Sequence, residues 1–322
     1  MADHVFAIVL AAGKGTRMKS DMAKVLHPVF FAPMITHVVN ALERLVLEDI
    51  IVVTGHQQRK VEEALVAYDL TFARQEEQLG TGHAVLSARG AINAQRGTVL
   101  ILCGDTPLVK PETLQQMVDR HYKTQSKLTL MTTVLANPAN YGRVITDDDG
   151  AVLKVVEEKD ASAAERLIDE VNAGIYCADL EFLFRALGKV GTDNVQGEVY
   201  LTDIVQIASD AGHRVGKFLC YNPLELTGVN SRVELATAHK IMQQRRNQEL
   251  MLQGITMFDP ETTSIEPSVT IGHDVLIHGN CYLTGTTTIG PGAVIEPFVR
   301  LHDSIVDGGA LVKAFSNVNY GG

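Results

Sequence analysis

Towards its C-terminus this chain repeats itself. Ile265, Ile271, Ile277, Leu283, Ile289, Ile295 and Leu301 stand six residues apart without a slip. Four residues after each come Val269, Val275, Cys281, Thr287, Ala293, Val299 and Ile305, mostly small or apolar, with Gly272, Gly290, Gly292, Pro267, Pro291 and Pro297 in the gaps. A helix buries a stripe that recurs about every 3.6 residues, and a lone hairpin alternates with period two, so neither fits. A period of six fits the flat faces of a stacked parallel β-helix, where each repeat covers its apolar side only against its neighbours. Seven hexads predict about two and a third triangular coils of roughly eighteen residues each. The pattern is expected to stop at Asp307, with the polar tail ending Tyr320-Gly321-Gly322 not resuming it.

Ahead of the repeat the rhythm differs. Short β-rich runs at Val5–Leu10, Ile50–Thr54, Thr71–Arg74 and Thr98–Cys103 alternate with helical patterns. Met34, Val38, Leu42 and Leu45 share one helix face, and Val61–Leu65 and Ala84–Ala91 carry similar ones. Such alternation predicts an α/β domain with a Rossmann-like, mixed but mainly parallel sheet covered by helices. Ligands on these sheets bind beyond the carboxyl ends of the strands, which picks out the loops starting at Ala11 and Gly104. After about residue 140, Gly142–Thr146 and Ala151–Glu157 flank the turn signal Asp147-Asp148-Asp149-Gly150, as in a hairpin. Strands at Val171–Cys177 and His213–Cys220, helices near Leu180–Leu187 and Thr202–Ser209, and a charged helix from Ser231 to about Gln253 follow.

Composition excludes several classes. At 322 residues the chain exceeds the usual domain of about 100–200 residues, so two domains are expected. Hydrophobic residues at 46% and charged ones at 20% exclude disorder and collagen-like order. No apolar run approaches the 18 or so residues of a membrane span. With 38 acidic and 28 basic side chains the net charge is −10, so neither nucleic acid nor an anionic membrane is an expected partner. Cys103, Cys177, Cys220 and Cys281 are too scattered for a C-x-x-C pair, and a cytoplasmic protein with reduced thiols is the reading. The apolar run Val5–Ala12 lacks a basic leader and enters Gly13-Lys14-Gly15 at once, which suits a buried strand better than a signal peptide.

Two loops concentrate chemistry. Leu10-Ala11-Ala12-Gly13-Lys14-Gly15-Thr16-Arg17-Met18 offers close backbone approach to a phosphate, and Lys14, Arg17, Lys19 and Lys24 gather positive charge in an acidic protein. Met18 stands where a dinucleotide fingerprint needs Gly or Ala, and the Gly-Lys-Ser/Thr of a P-loop is absent. An ordinary glycine turn is the competing interpretation. In Cys103-Gly104-Asp105-Thr106-Pro107-Leu108, Asp105 at a strand end could hold Mg²⁺ beside substrate phosphates, or merely form an Asx turn before Pro107.

Together these segments resemble the sugar nucleotidyltransferases, the first as their signature loop and the second as their metal-binding motif. The resemblance continues through Gln75-Glu76-Glu77-Gln78-Leu79-Gly80-Thr81-Gly82-His83-Ala84, Tyr141-Gly142-Arg143, Val156-Glu157-Glu158-Lys159-Asp160-Ala161 and Glu170-Val171-Asn172-Ala173-Gly174. It goes on through Gln196-Gly197-Glu198-Val199-Tyr200-Leu201-Thr202-Asp203 and Gly228-Val229-Asn230-Ser231-Arg232. In this order, over about residues 5–306, they resemble the bifunctional GlmU-type enzymes. In that family an N-acetylglucosamine-1-phosphate uridyltransferase is fused to a left-handed β-helix acetyltransferase.

The resemblance implies a uridyltransferase domain at 1–230, a linker helix at 231–254 and a partial left-handed β-helix at 255–322. It places Ala11, Ala12 and Gly13 near uracil and ribose, with Gln75, Gly80 and Thr81 reading the base. Arg17 is expected on the departing pyrophosphate and Lys24 on the reacting phosphates. Gly142, Glu157, Asn172 and Thr202 are expected around the acetylated sugar, and Asp105 and Asn230 on one Mg²⁺. The implied reaction joins UTP and the sugar-1-phosphate into the UDP-sugar and pyrophosphate. Acetyl transfer is expected to be absent, because the family builds that site from later coils and a neighbouring subunit. A homotrimer through the β-helix is the family's habit, and with so few coils a monomer is the alternative. Another sugar-1-phosphate as substrate, or a non-catalytic regulatory subunit, are the competing functions. Cys103 replaces a frequent aromatic, Ala23 a proline, and Phe31-Ala32 a Gly-Lys pair, changes that bear on the Lys24 loop and one ligand contact.

Overall fold

The structure, a computed structural model, describes residues 4–319. It separates into two compact units: the chain through Arg232 apart from Pro28–Phe31, and Pro28–Phe31 with the residues from Val233 onward.

The first unit is built on a nine-stranded sheet. Its strands are β1 (Val5–Leu10), β2 (Asp49–Thr54), β3 (Thr71–Arg74), β4 (Thr98–Cys103), β5 (Leu128–Val134), β6 (Arg143–Thr146), β7 (Val152–Val156), β8 (Glu170–Asp179) and β9 (Val215–Leu219). The order is β9-β5-β8-β4-β1-β2-β3, with the β6–β7 hairpin attached to β8 through β6. β1 runs parallel to β2 and β4, β2 to β3 and β9 to β5, whereas β8 is antiparallel to its neighbours β4, β5 and β6.

The central strands are apolar on both faces because helices cover both. Phe6, Ile8, Ile51, Val53, Val99 and Ile101 enter one core with α3 (Thr81–Ser87), α5 (Leu180–Leu187) and α6 (Asp203–Asp210). The alternate residues Ala7, Val9, Ile50, Val52, Leu100 and Leu102 enter the other, with α1 (Met34–Leu42), α2 (Gln58–Ala64) and α4 (Pro111–Thr124).

Two elements are additions to the sequence reading. α4 starts with Pro111 in its first turn and buries Leu114, Met117, Val118 and His121, a helical i, i+3, i+4, i+7 stripe. β5 is buried along six of its seven residues and inserts between β8 and β9. Leu45, expected on the α1 face, lies beyond that helix, which ends at Leu42.

The second unit carries the repeat. After α7 (Arg232–Leu252), eleven short strands form three parallel ladders of four, four and three. Ile265, Ile277, Leu283, Ile289, Ile295 and Leu301 are all buried, and Ile271 is partly so. α7 packs within this unit: Asn247, 1% exposed, donates to the carbonyls of Pro260 (2.7 Å) and Thr263 (2.8 Å), and Gln243 donates to Thr263 at 2.7 Å. Those amides satisfy carbonyls that the first coil leaves without a preceding turn to pair with.

The repeat does not stop at Asp307, contrary to expectation. It slips by one residue and resumes. Thr270 pairs with Thr288, eighteen residues on, but Thr288 pairs with Ile305, only seventeen on. The shortened corner turns at Asp303, whose φ is +47° and whose carboxylate accepts from the Thr286 N–H at 2.7 Å. Ser304 therefore takes the small inner position that the period assigns to Ile305; Ser304 is 1% and Ile305 79% exposed. Val306, Val312 and Val318 then continue inward at intervals of six. Tyr320-Gly321-Gly322 lie outside the described residues.

Candidate active site

Strand register assembles the site. Leu10 pairs with both Val53 and Cys103, so the carboxyl ends of β1, β2 and β4 lie level. The loops leaving them are tied together by Ala11 N–H to Val53 O (2.9 Å), Gly104 N–H to Leu10 O (2.9 Å) and Gln75 N–H to Thr54 O (2.8 Å).

The glycine-rich loop is shaped partly by its own lysine. Gly15 has φ +65°, and a Cβ there would lie 2.4 Å from Lys24 Cβ, so a side chain is excluded where Lys24 crosses the loop. At Gly13 a Cβ would meet nothing within 4 Å, leaving that stretch of backbone open towards the cleft.

A cleft of about 270 Å³ is lined by Ala11, Ala12, Gly13, Lys24, Gln75, Gly80, Thr81, Cys103 and Asp105, with Gln78 and Glu198. Beside it a more polar cleft of about 540 Å³ is lined by Gly13, Lys14, Gly15, Thr16, Arg17, Lys24, Gln78 and Asn230. Lys24, Gly13 and Gln78 belong to both. Lys19 is exposed and lines neither of these two clefts.

Where the clefts meet, four charged or polar groups converge. The Lys24 ammonium pairs with the Asp105 carboxylate and lies 3.1 Å from Asn230 Oδ1, to which Arg17 Nη2 donates at 2.8 Å. Asp105 carbonyl accepts from Val229 N–H at 2.9 Å, which brings Asn230 beside the β4 loop. The Asp105 side chain is committed to the cation rather than to a turn before Pro107; the Thr106 hydroxyl makes the local bond, to Cys103 O at 2.8 Å. One carboxylate and one amide oxygen directed at a single positive charge suit a hard cation whose other ligands are water and phosphate oxygens.

The Gly80 loop is held by main-chain and side-chain contacts. Gly80 has φ +111°, and a Cβ there would lie 2.5 Å from Val199 O. Val199 N–H donates to Leu79 O and Gly82 N–H to Val199 O, each at 2.8 Å, while Leu201 N–H donates to the Thr81 hydroxyl at 3.0 Å. Gln75 is 3% exposed; its Nε2 donates to Gly80 O at 3.1 Å and lies 3.1 Å from His83 Nδ1. Glu198, which sequence reasoning left without a role, enters the cleft because this pairing brings its segment alongside Gly80.

Gly142, Glu157, Asn172 and Thr202 form a second group. Asn172 N–H donates to Gly142 O at 2.8 Å, and the Thr202 hydroxyl to Glu157 Oε1 at 3.1 Å. A Cβ on Gly142 would stand 3.6 Å from Glu157 Oε2. Burial raises the Glu157 carboxyl above its ordinary range, opposed by the Thr202 hydrogen bond. Tyr176, also unassigned from sequence, accepts from Asn172 Nδ2 at 2.6 Å through its hydroxyl. Cys103 lies between the groups: burial, then the Asp105 carboxylate, pushes its thiol up to about 12, and Glu157 acts in the same direction. Such a thiol is no nucleophile at neutral pH.

An α/β domain with a glycine-rich loop, cations and a carboxylate at its strand ends, followed by hexad coils, is a nucleotidyltransferase joined to a hexapeptide-repeat domain. Residues 7–154 match the MobA-like NTP transferase domain, and residues 268–303 match the bacterial transferase hexapeptide family of six repeats. The chain is 48% identical over 309 residues to the bifunctional protein GlmU of Desulfotalea psychrophila, covering 96% of this chain and 91% of that one. It is 50% identical over 291 residues to that of Geobacter metallireducens (90% and 61%) and 45% identical over 308 to that of Halalkalibacterium halodurans (96% and 68%). The chain belongs to the GlmU family and is an enzyme of its sugar-1-phosphate uridylyltransferase class. It spans 61% of the Geobacter relative's length. Among the described residues no helix is long and apolar enough to cross a membrane.

Proposed function

We propose that the first unit transfers uridylyl from UTP to N-acetylglucosamine-1-phosphate, giving UDP-N-acetylglucosamine and pyrophosphate, so that the chain supplies an activated sugar for peptidoglycan synthesis. The observation that carries this reading is the meeting of Arg17, Lys24, Asp105 and Asn230 at the junction of two clefts. Two anionic substrates react only where their mutual repulsion is offset and their reacting atoms are aligned.

A phosphate oxygen of the sugar-1-phosphate attacks the α-phosphorus of UTP; the bond to the β-phosphate oxygen breaks and pyrophosphate leaves. The attacking oxygen is already ionised at neutral pH, so no side chain has to remove a proton. Ala11, Ala12 and Gly13 place the nucleoside, and Gln75, Gly80 and Thr81 read uracil from the loop bonded to Val199 and Leu201. Gly142, Glu157, Asn172 and Thr202 orient the acetylated sugar. Arg17 binds the pyrophosphate as it departs, and Lys24 neutralises charge on the reacting phosphates. Asp105 and Asn230 would hold Mg²⁺, which when bound neutralises phosphate charge and polarises the α-phosphoryl group. Trimers through the β-helix complete the proposal.

The test is pyrophosphate release by the purified chain with UTP, Mg²⁺ and a panel of sugar-1-phosphates. Release with N-acetylglucosamine-1-phosphate above the other sugars is expected. Release with glucose-1-phosphate alone would reassign the substrate, and none with any sugar would reject the enzyme reading.

A further inference from the structure

Arg143 is among the largest fully buried side chains, at 2% exposure. Its guanidinium donates to the Tyr141 carbonyl, and its Nη2 lies 2.7 Å from Glu158 Oε2; Glu158 Oε1 lies 3.6 Å from Arg166 Nε. Burying a charge pair is costly, and well-packed apolar residues commonly hold a fold as well or better. What the guanidinium adds is a direction: it reaches from the Tyr141 carbonyl to a single Glu158 oxygen, a charge contact without hydrogen-bond alignment that leaves Arg143 Nε without a hydrogen-bond partner among the described residues.

That direction falls at a particular place. Arg143 is opposite Val156 on β7 and opposite Val171 on β8. The next residues along these three segments are Gly142, Glu157 and Asn172. β7 ends at Val156, so the ladder does not carry Glu157. Glu158, immediately after it, is drawn back to β6 by Arg143. The Asn172 N–H to Gly142 O bond closes the third side of the same arrangement.

We propose that Arg143 and Glu158 are positioning residues for the sugar-binding wall, holding Glu157 and Gly142 at the distance the sugar-1-phosphate requires. This rests on the sugar-side reading of Glu157. Neither residue touches the substrate; both act through the backbone of their neighbours.

The experiment compares steady-state kinetics of Arg143→Met, Arg143→Lys, Glu158→Gln and Glu157→Ala, with circular dichroism and thermal melting as fold controls. In Arg143→Met and Glu158→Gln, KM for N-acetylglucosamine-1-phosphate is expected to rise ~10-fold, with KM for UTP and kcat within about two-fold. Arg143→Lys keeps the positive charge but cannot reach the Tyr141 carbonyl and the Glu158 carboxylate with two separate nitrogens, and should fall between wild type and Arg143→Met. If Arg143→Met does not fold, Glu158→Gln, at a side chain 32% exposed, carries the test. A sugar KM raised in Glu157→Ala but unchanged in the Arg143 and Glu158 variants would overturn the positioning role and leave the sugar wall standing. An unchanged sugar KM in Glu157→Ala would remove the sugar wall and this proposal with it. Equal rises in both KM values with a fall in kcat would mark general structural support and also overturn it.

Discussion

Lys24 stands at a point where three needs coincide. Its stem crosses the glycine-rich loop so closely that residue 15 must be glycine, and its ammonium lies against Asp105 and Asn230. Residue types and spacing marked Lys24, Arg17 and Asp105 from the sequence, because positive charge clustered in an acidic chain and a carboxylate at a strand end are informative by themselves. Asn230 was selected only by resemblance, since a lone Asn carries no such signal. Which side-chain atoms the scaffold itself uses was not legible: the Gln75 amide donates to Gly80, and the Thr81 hydroxyl accepts from Leu201, contacts set by segments more than a hundred residues apart in the second case. Asp105→Ala removes the carboxylate that faces the cation while leaving Lys24 the Asn230 oxygen and partial solvent access. Pyrophosphate release is expected to fall by ~10²-fold or more, with the circular dichroism spectrum unchanged. Full activity in that variant would refute the role of Asp105.

At the scale of elements, the strands that read most clearly are those sealed on both faces. β1 and β4 have the boundaries their apolar runs announce, because helices on both sides make every residue of a central parallel strand count; the edge strand β3 also has its expected boundaries, although only Ala73 in it is buried. β5 is as deeply buried, yet Thr129, Thr132 and Thr133 interrupt its apolar run; their burial is made tolerable by partners such as Glu170 for Thr132 and the Cys220 carbonyl for Thr133. The one-residue slip of the β-helix was hidden for a similar reason. Ile305 satisfies the hexad on paper, and only the ladder shows that Ser304 lies inside. The Gly80 loop gives an element-scale prediction. Gly80→Ala must place a Cβ against the Val199 carbonyl and hold alanine at φ +111°. The variant is expected to lose about 1–3 kcal/mol of stability in a denaturant titration and to raise KM for UTP. Wild-type stability together with wild-type UTP affinity would show that this loop relaxes without cost.

For the whole molecule, net charge and oligomeric state are the relevant quantities. A charge of −10 opposes anionic substrates at long range, so the local cations Lys14, Arg17 and Lys24 must act at short range, where screening by salt is weaker. Assembly is argued from the second unit. Ile305, turned outward by the slip, is 79% exposed; Leu311 is 54% exposed; Phe298 and Phe315 are 52% and 76% exposed and stack with centroids 5.1 Å apart at 2°. Large exposed side chains of this kind cost solubility unless another surface covers them, and the trimer proposed above would supply one. On that proposal, sedimentation of the wild-type chain at micromolar concentration is expected to give the mass of three copies. The triple variant Ile305→Ser, Phe298→Ser and Phe315→Ser, which leaves the buried hexad positions untouched, is expected to sediment as one copy and still release pyrophosphate. A wild-type monomer, or a triple variant that remains three copies, would show that these side chains do not hold subunits together.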